Sequence, residues 1–492
     1  MRQNLRSSDR DMEEEDSKAS LDAPLIRIHE DVEGHGAAIL TRKCLDKADM
    51  ITEIQNQMSL AGPLVVVSFL QYSLQMISVM FVGHLGELSL ASASMATSFA
   101  GVTGFSFMLG MGCALETLCG QAYGAKQYHM LGVHLQRAML VLTCTSIPIS
   151  FLWSCTGKIF IFFKQDEQIS IYSQKYALCL IPSILPFGLL QCQLRFLQTQ
   201  NIVLPLVLST WITSLIHVLT CWTLIFRFEF GIEGAALSSG ISYWINVLIL
   251  AIYIKFSATC QLTWKGFSKE GRENTLHFLK LGIPSALMQS QTRNINDVYQ
   301  TWTLFTYPHL HKFSDICDFL SWLSVSLTSS TRVSNELGAG RPHAAKLAVQ
   351  IVIFLAVLEG LSVNLILFAL RGVWGYLYTT EGEVVRYLAS VMPVLVVSNF
   401  MDGMQAVLSG TARGCGWQKI CAFINLGAYY LVGLPSAIIL TFVFHLGGKG
   451  LWAGIICGSA LQATILLIIT LRTNWEHEVK KARNQIFESN IK

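Results

Sequence analysis

The chain carries two copies of one segment, and this internal repeat constrains the fold more than any other feature. ETLCGQAYGAKQYH at 116–129 and STRVSNELGAGRPH at 330–343 share Thr, Gly-Ala and His at an offset of 214. Other residues recur at similar offsets: Pro63 with Pro284, Pro182 with Pro393, and the pair Gly231/Gly234 with Gly447/Gly450. The chain is therefore an internal duplication.

Apolar stretches indicate that each half is embedded in a membrane. Charged residues make up 14% of the chain and apolar residues 52%, whereas soluble domains carry about 25% charged residues. Ten stretches are long enough to cross about 30 Å of hydrocarbon: 57–82, 90–115, 133–155, 169–193, 203–226, 232–256, 345–370, 384–410, 419–444 and 449–471. The duplication requires two more between 276 and 330. We predict an all-α polytopic membrane protein of about twelve transmembrane helices, in two six-helix lobes related as a parallel internal repeat.

These spans divide the chain into five parts. Residues 1–50 are polar and predict a disordered cytoplasmic N-terminal tail, followed by the N-lobe at 51–260. An inter-lobe loop at 261–275 leads to the C-lobe at 276–472, and 473–492 form a cytoplasmic C-terminal tail.

Basic residues in short loops predict the orientation, since cytoplasmic loops carry an excess of Lys and Arg. One side holds ten such cations with both tails: Lys126, Arg195, Lys265, Lys269, Arg272, Arg332, Arg341, Lys346, Arg413 and Lys419. The other side holds six: Lys158, Lys164, Arg227, Lys312, Arg371 and Lys449. The bias predicts cytoplasmic termini.

Motifs of several other protein classes are missing. The thirteen cysteines lie mostly in apolar spans without a pairing rhythm, so they indicate neither a disulfide framework nor a zinc site. The sequence contains no GxxxxGK[ST], HExxH or GxSxG motif, and a net charge of +3 is too small to argue for nucleic-acid binding. His477 and its acidic neighbours lie in the charged tail, where a solvated surface is the simpler interpretation. We predict no catalytic residue, no metal ligand and no cofactor.

Polar residues inside apolar spans are the informative positions, because each costs free energy in hydrocarbon and faces the bundle interior or a wet cavity. Two helical stripes stand out: Ser68, Gln71, Gln75 and Ser78 in the first span, and Ser398, Asp402, Gln405 and Ser409 in the tenth. The alternative is that these stripes only join helices through hydrogen bonds, which contribute about 0.6 kcal/mol each.

Asp402 is the strongest candidate for a coupling residue. A carboxylate at mid-span costs about 2.5 to 3.5 kcal/mol on insertion scales, and a purely structural contact does not require one. Desolvation favours its protonated form, so it is neutral when sealed and ionised when wetted. The local offset of 211 pairs Asp402 with Gln191, which places any cation site in the C-lobe. A structural interhelix hydrogen bond is the alternative role.

Five segments resemble a known family: GHLGELSLA at 83–91, LCGQAYGAKQYHMLG at 118–132, TRVSNELGAG at 331–340, VLSGTARGCGWQ at 407–418 and NLGAYYLVGLP at 425–435. They are similar to the multidrug and toxic compound extrusion (MATE) transporters, particularly the plant detoxification proteins. The resemblance implies two six-helix lobes around a central cavity. It also implies export of organic compounds in exchange for protons, or for sodium in some bacterial relatives.

The resemblance carries functional residues onto this sequence. The Asp of the family's tenth helix corresponds to Asp402, and polar positions of its eleventh helix to Asn425 and Tyr429. We expect a proton as the coupling ion, small organic substrates such as flavonoids or alkaloids, a monomer in the bilayer, and the vacuolar or plasma membrane as location. The residues expected to line the substrate cavity are Gln71, Gln75, Gln191, Ser398, Gln405, Asn425 and Tyr429.

Residues 289–329 depart from the family pattern. Where plant members carry a segment resembling CLEWWSFEL, this chain reads QSQTRNINDV, so that Thr292 replaces the first Glu and Asp297 the second. Asp297 is therefore a second candidate cation residue. The stretch is short and polar for two spans, which predicts seventh and eighth helices that are short, distorted or partly outside the membrane. It is either a real divergence or a disturbed reading frame, because codons for 311–324 can be chosen that read INFLIYVISFLGLA one base later.

Two other functions stay open beside an antiporter. A folded but transport-impaired membrane protein would explain the departure at 289–329. An integral membrane enzyme would need a catalytic cluster that the sequence does not display.

Overall fold

The computed structural model describes residues 38–306, 322–374 and 382–491. Within these ranges the side chains are described except at 38–46, 292–306, 322–324, 374, 383–384, 387–388 and 487–491.

Six long helices form the first half of the bundle. Their bounds are α1 Ala38–Gly83, α2 Glu87–Gly124, α3 Tyr128–Ser154, α4 Glu167–Thr199, α5 Leu204–Arg227 and α6 Gly231–Phe256. A short helix, Thr156–Phe162, follows α3. The α4 helix begins where the Asp166 carboxylate accepts a hydrogen bond from the Ile169 amide (3.0 Å), which satisfies one of the unpaired amides of the first turn.

Six more helices form the second half, and a thirteenth follows them. Their bounds are α7 Thr275–Thr306, α8 Trp322–Gly338, α9 Pro342–Ala369, α10 Gly382–Gly414, α11 Gln418–Val443, α12 Gly448–Arg472 and α13 Trp475–Ile491. A four-residue helix, Arg371–Trp374, lies between α9 and α10.

Ten helices of the described chain, α1–α6 and α9–α12, are long and apolar enough to cross a membrane. They coincide with the ten stretches read from the sequence. The seventh helix is not short, because α7 runs unbroken for 32 residues despite Pro284. The described part of α8 has 17 residues, fewer than the roughly 20 that a span needs.

Two main hydrophobic cores correspond to the two lobes. The first is built on α1 to α6, with Leu115, Leu135 and Leu250 almost fully buried. The second lies among α8 to α13. Helix α7 contacts both, because Phe278 belongs to the first core and Met288 to the second.

The backbone confirms several repeat pairs. Gly231 and Gly447 both adopt φ 55°, which glycine tolerates far better than other residues. Three residues on, Gly234 packs against the backbone of Leu224 and Gly450 against that of Leu440. The turn after α2 also has its counterpart after α8.

That turn shows how the two copies differ. Lys126 adopts φ 61° in the first copy, and Gly340 adopts φ 74° at the equivalent position of the second. The first copy therefore holds a left-handed conformation with a lysine, at a cost of roughly 1–2 kcal/mol that glycine avoids.

The two repeat segments pack directly against each other. A Cβ on Gly124 would meet the carbonyl of Asn335, and a Cβ on Gly338 would meet the carbonyl of Gln121. Helices α2 and α8 therefore approach backbone to backbone at their C-terminal ends, and only glycine allows this.

Five of the ten cations counted for orientation lie inside the long helices rather than in loops: Lys346 in α9, Lys419 in α11 and three arginines. Arg195 is in α4, Arg332 in α8 and Arg413 in α10, and each forms a buried or nearly buried ion pair. A helix ends close to each of them, which is why the sequence pattern suggested loops. Cations in loops on that side are therefore fewer than the sequence pattern predicted.

The C-terminal segment is a packed helix rather than a wholly solvated tail. Trp475, Ala482 and Ile486 of α13 are buried, and Trp417 donates a hydrogen bond to the Glu478 carboxylate (3.1 Å). His477 is 73% exposed, as expected for a surface residue.

Candidate functional site

Asp402 lies in the middle of α10, partly buried, with hydroxyl groups around its carboxylate. Ser398, one turn earlier, donates a hydrogen bond to Oδ2 of Asp402 (3.2 Å). The Ser459 hydroxyl on α12 also interacts with this carboxylate and donates a hydrogen bond to the Ile455 carbonyl of its own helix (3.1 Å). The carboxylate thus lies between two helices, beside neutral hydroxyl groups.

Asn425 lies beside this group on α11 and is fully buried. It donates a hydrogen bond to the Met288 carbonyl on α7 (3.1 Å) and accepts one from Gln462 on α12. Three helices therefore meet at one amide, and the buried polar atoms of the side chain are satisfied on both sides.

Tyr429 is one turn beyond Asn425 and is 1% exposed. Its ring packs on Gly458, where an added Cβ would lie 2.9 Å from the ring carbon Cδ1. The surrounding turn, Gly427–Gly433, is a π-helical segment of α11. Such irregular turns often mark functional sites, since they re-aim side chains.

Ser459 and Gln462 join the two parts of the site and were missed in the sequence. They lie on one face of α12, so the helix that bonds Asp402 also bonds Asn425. The signal was present as GSALQ at 458–462, a polar and small-residue run inside an apolar span. We call Ser398, Asp402, Asn425, Tyr429, Ser459 and Gln462 the C-lobe polar cluster.

The remaining predicted residues lie elsewhere. Gln405 is buried one turn after Asp402 and donates to the Ser409 hydroxyl (3.3 Å). Gln191 is 3% exposed and packs on Gly112 of α2 in the first core. Gln71 is partly buried and Gln75 is exposed on α1. Asp297 and Thr292 lie in α7, and their side chains fall outside the described residues.

The pairing of Asp402 with Gln191 is wrong. Gly112 on α2 and Ser326 on α8 are equivalent at the offset of 214; Gly112 contacts Gln191, whereas Ser326 contacts Gly410. The structural offset between α4 and α10 is therefore larger than the proline spacing suggested, and Asp402 corresponds to the region of Ser183. The described N-lobe carries no acid at that height, so the predicted asymmetry between the lobes remains.

The first-span stripe leads instead to a buried histidine. The hydroxyl of Ser78 lies 3.0 Å from Nε2 of His217 on α5, and Nδ1 of His217 lies 2.8 Å from the Ser242 hydroxyl on α6. His217 is fully buried with both ring nitrogens in hydrogen bonds. This network joins three helices of the N-lobe. One sign of it is visible in the sequence, a histidine inside an apolar span.

The described side chains include no group of three or more His, Cys, Asp or Glu residues that could hold a metal ion. The C-lobe polar cluster contains one carboxylate and otherwise neutral donors and acceptors. A divalent metal prefers several charged ligands, and this cluster offers one.

Comparison with known proteins places this arrangement in one family. The family model described as MatE matches residues 63–223 and 319–439. Protein DETOXIFICATION 16 of Arabidopsis thaliana is 52% identical over 452 residues, covering 90% of this chain and 93% of that protein.

Solved structures agree. The crystal structure of the eukaryotic MATE transporter AtDTX14 superposes with a TM-score of 0.83 at 40% identity, covering 89% of this chain and all of that one. The Vibrio cholerae MATE transporter VcmN, in its bent form, shares the fold with a TM-score of 0.73 at 16% identity, over 88% of this chain and 99% of its own. The chain is thus a multi-pass membrane transporter rather than an enzyme, and it belongs to the MATE family, in the branch of the plant detoxification proteins.

Proposed function

We propose that this chain is an antiporter that exports organic compounds in exchange for protons, with Asp402 as the residue that carries the proton. The observation that supports it is a single carboxylate at mid-span, beside Ser398 and Ser459 and joined through α12 to Asn425. A carboxyl group in this position is neutral when the lobe closes around it and ionised when water reaches it.

Because the carboxyl group is neutral in one state and ionised in the other, proton occupancy is coupled to conformation. A proton bound at Asp402 favours one facing state, and substrate binding with proton loss favours the other; each ligand shifts the equilibrium only by its differential affinity for the two states. The proton gradient supplies about 2.3 kcal/mol per charge per 100 mV and about 1.4 kcal/mol per pH unit.

The test is transport by purified protein in vesicles with an imposed pH gradient. Asp402→Asn should insert and fold but lose proton-driven uptake of a fluorescent organic cation or a flavonoid glycoside. Asp166→Asn is the matched control, because it makes the same chemical change at an exposed helix cap where Asn also caps well. Equal uptake by all three proteins, at equal reconstitution, would refute the role of Asp402.

Position 292 supports a second candidate, a folded protein with impaired transport. The pattern of the resembling family expects Glu where this chain has Thr292. If that acid is required, the unaltered chain should bind substrate but should not transport it when a proton gradient is imposed. Uptake by the unaltered chain decides between the two.

The expected location and orientation remain proposals. Both termini are assigned to the cytoplasm, in the vacuolar or the plasma membrane. Tags at each end should react with a membrane-impermeant probe only after the plasma membrane is opened. A tag that reacts in intact cells would reverse the orientation.

A further inference from the structure

The two repeat segments form one of the closest contacts between the lobes. The described helices α2, α4, α8 and α10 bring their C-terminal ends together there. A Cβ on Gly120 would meet the side chain of Ser334, so the approach is as close here as at Gly124 and Gly338. We call this region, Glu116–Gly124 with Gln198, Leu327–Gly338, Arg413 and Gln418, the cross-lobe seal.

The polar bonds of the seal are reciprocal. Gln418 of the C-lobe donates to the Thr117 hydroxyl of the N-lobe (2.7 Å). Gln198 of the N-lobe donates to the Thr331 hydroxyl of the C-lobe (2.8 Å). Thr117 and Thr331 are the threonines shared by the two repeat copies. The threonine that the two copies share therefore accepts, in each lobe, a hydrogen bond from the opposite lobe.

A buried carboxylate breaks this symmetry. Glu116 has a fully buried side chain and lies 3.1 Å from Nε of Arg195 on α4 and 3.4 Å from Nε of Arg413 on α10. Its equivalent in the second copy is Ser330. One acid therefore holds an arginine of its own lobe and an arginine of the opposite lobe.

Every charged group of this cluster has a partner within its own lobe. Glu116 has Arg195, and Arg413 donates to the Ser326 hydroxyl (2.7 Å). Arg195 also donates to Gln198 (2.9 Å). If the lobes separate, the Glu116 carboxylate keeps the opposite charge of Arg195. The Arg413 guanidinium keeps only the neutral Ser326 hydroxyl, so water entering the opened seal has to replace its countercharge.

In a second ion pair across the lobes, each charged group also has a partner within its own lobe. Arg332 of α8 forms a bidentate pair with the Glu53 carboxylate of α1 and also bonds Glu336 of its own helix (2.9 Å). Glu53 in turn accepts from Gln57 of its own helix (3.1 Å). Arg332 and Glu53 therefore each keep a partner within their own lobe if the lobes separate.

Transport between two facing states requires the cross-lobe seal to act as a gate. We propose that the Glu116–Arg413 pair is the latch that holds this gate closed, while the Glu116–Arg195 pair stays intact when it opens. The proposal rests on the proposed antiport function for its role in the cycle, but the opening of the seal is measurable without transport. In the proposed orientation the gate faces the cytoplasm.

Cross-linking tests whether the seal must open. Gln198→Cys with Thr331→Cys places two thiols across the lobes. Asn364→Cys with Asn399→Cys places two within the C-lobe and outside the seal, where Asn399 donates a hydrogen bond to Asn364 (3.0 Å). After treatment of reconstituted protein with a short bifunctional thiosulfonate, the cross-lobe pair should lose at least nine-tenths of its uptake and recover it on reduction. The pair within one lobe should keep most of its uptake. The parent chain treated alike controls for the native cysteines.

Continued uptake by fully cross-linked Gln198→Cys/Thr331→Cys would overturn the gate. If no protein transports even when reduced, the proposed antiport function fails instead, and the gate is then decided by labelling. Ser334→Cys reports the seal, because Ser334 is fully buried against Gly120. Mass spectrometry of the peptide gives the labelling rate by a maleimide.

Two arginine variants distinguish the loss of the ion pair across the lobes from the loss of an ion pair within one lobe. Arg413→Gln removes the cross-lobe pair, and Arg195→Gln removes the pair of the same acid within its lobe. We expect Arg413→Gln to raise the labelling rate of Ser334→Cys severalfold and Arg195→Gln to leave it within about twofold of the parent. Equal rates in the two variants would contradict the role assigned to the Glu116–Arg413 pair.

Discussion

At the scale of single residues, the site depends on the height of each polar group along its helix. Ser459 interacts with Asp402, and Gln462 donates a hydrogen bond to Asn425. These two contacts are three residues, or about 4.5 Å, apart along α12. Met288 is level with Asn425. Position 292 is about 6 Å beyond Met288 and position 297 about 13.5 Å. Position 292 is therefore near the height of Asp402, and position 297 is well past it.

This geometry predicts that Thr292→Glu enhances proton coupling and that Asp297 contributes little. We expect Thr292→Glu to increase proton-driven uptake severalfold, because it supplies a second carboxyl group at about the height of Asp402 along the bundle, where the family pattern has Glu. Asp297→Asn should leave uptake within about twofold of the unaltered chain. A large loss in Asp297→Asn would mean that this residue has taken over the role of the missing Glu.

His217 gives a residue-scale prediction about stability. Its replacement by Ala leaves the hydroxyls of Ser78 and Ser242 without the imidazole and opens a cavity in the N-lobe core. We expect a loss of about 2–4 kcal/mol, seen as a lower melting temperature in detergent. His477→Ala, at an exposed position of α13, is the control. An unchanged melting temperature in His217→Ala would show that the network does not hold the N-lobe together.

At the scale of elements, close packing between α11 and α12 decides where the C-lobe polar cluster lies. Gly454 faces Ala437 so closely that an added Cβ would overlap the backbone of that residue. Gly458, one turn later, leaves room for Tyr429. A face of glycines on α12 therefore brings α11 near enough for Gln462 to reach Asn425.

Gly454→Ala should accordingly separate the two helices. Because the overlap is with backbone, it is not relieved by a rotamer change, and we expect a loss of about 1–3 kcal/mol or more. Gly427→Ala, where nothing lies within 4 Å, should be neutral or slightly stabilising, since alanine favours a helix. Detergent melting curves of the two variants give the comparison, and equal melting temperatures would contradict this account.

At the scale of the whole molecule, the duplication explains both the likeness and the difference of the lobes. The parts of the repeat that meet across the seal, Thr117 with Thr331 and Gly124 with Gly338, are shared. The parts that differ, Glu116 against Ser330 and Asp402 against the region of Ser183, carry charge. Shared residues thus serve the joint between lobes, and the charged exceptions give the two lobes different tasks.

Symmetry at the seal makes a prediction for its two glycines. Gly124→Ala and Gly338→Ala should each weaken the seal, since each adds a Cβ against backbone of the opposite lobe. Both should raise the labelling rate of Ser334→Cys and lower uptake to a similar degree. Gly62→Ala on α1, with nothing within 4 Å, is the control. An effect from only one of the two seal glycines would show that the repeat copies do not share this role.

The sequence by itself determined the membrane class, ten of the spans, the duplication, the family resemblance and the candidacy of Asp402. Each of these follows from hydrophobicity, periodicity or a recurring motif, which are local properties of the chain. The tertiary structure decided which polar residues meet: it joined Asp402 to Ser459 and Asn425 through α12 and left Gln75 and Gln191 elsewhere. It also showed that three arginines predicted to lie in loops form ion pairs inside helices, and that Asp402 corresponds to the region of Ser183 rather than to Gln191. The reason is physical, since contacts between helices depend on their axial offset and on glycines that permit close approach, and spacing along one helix records neither.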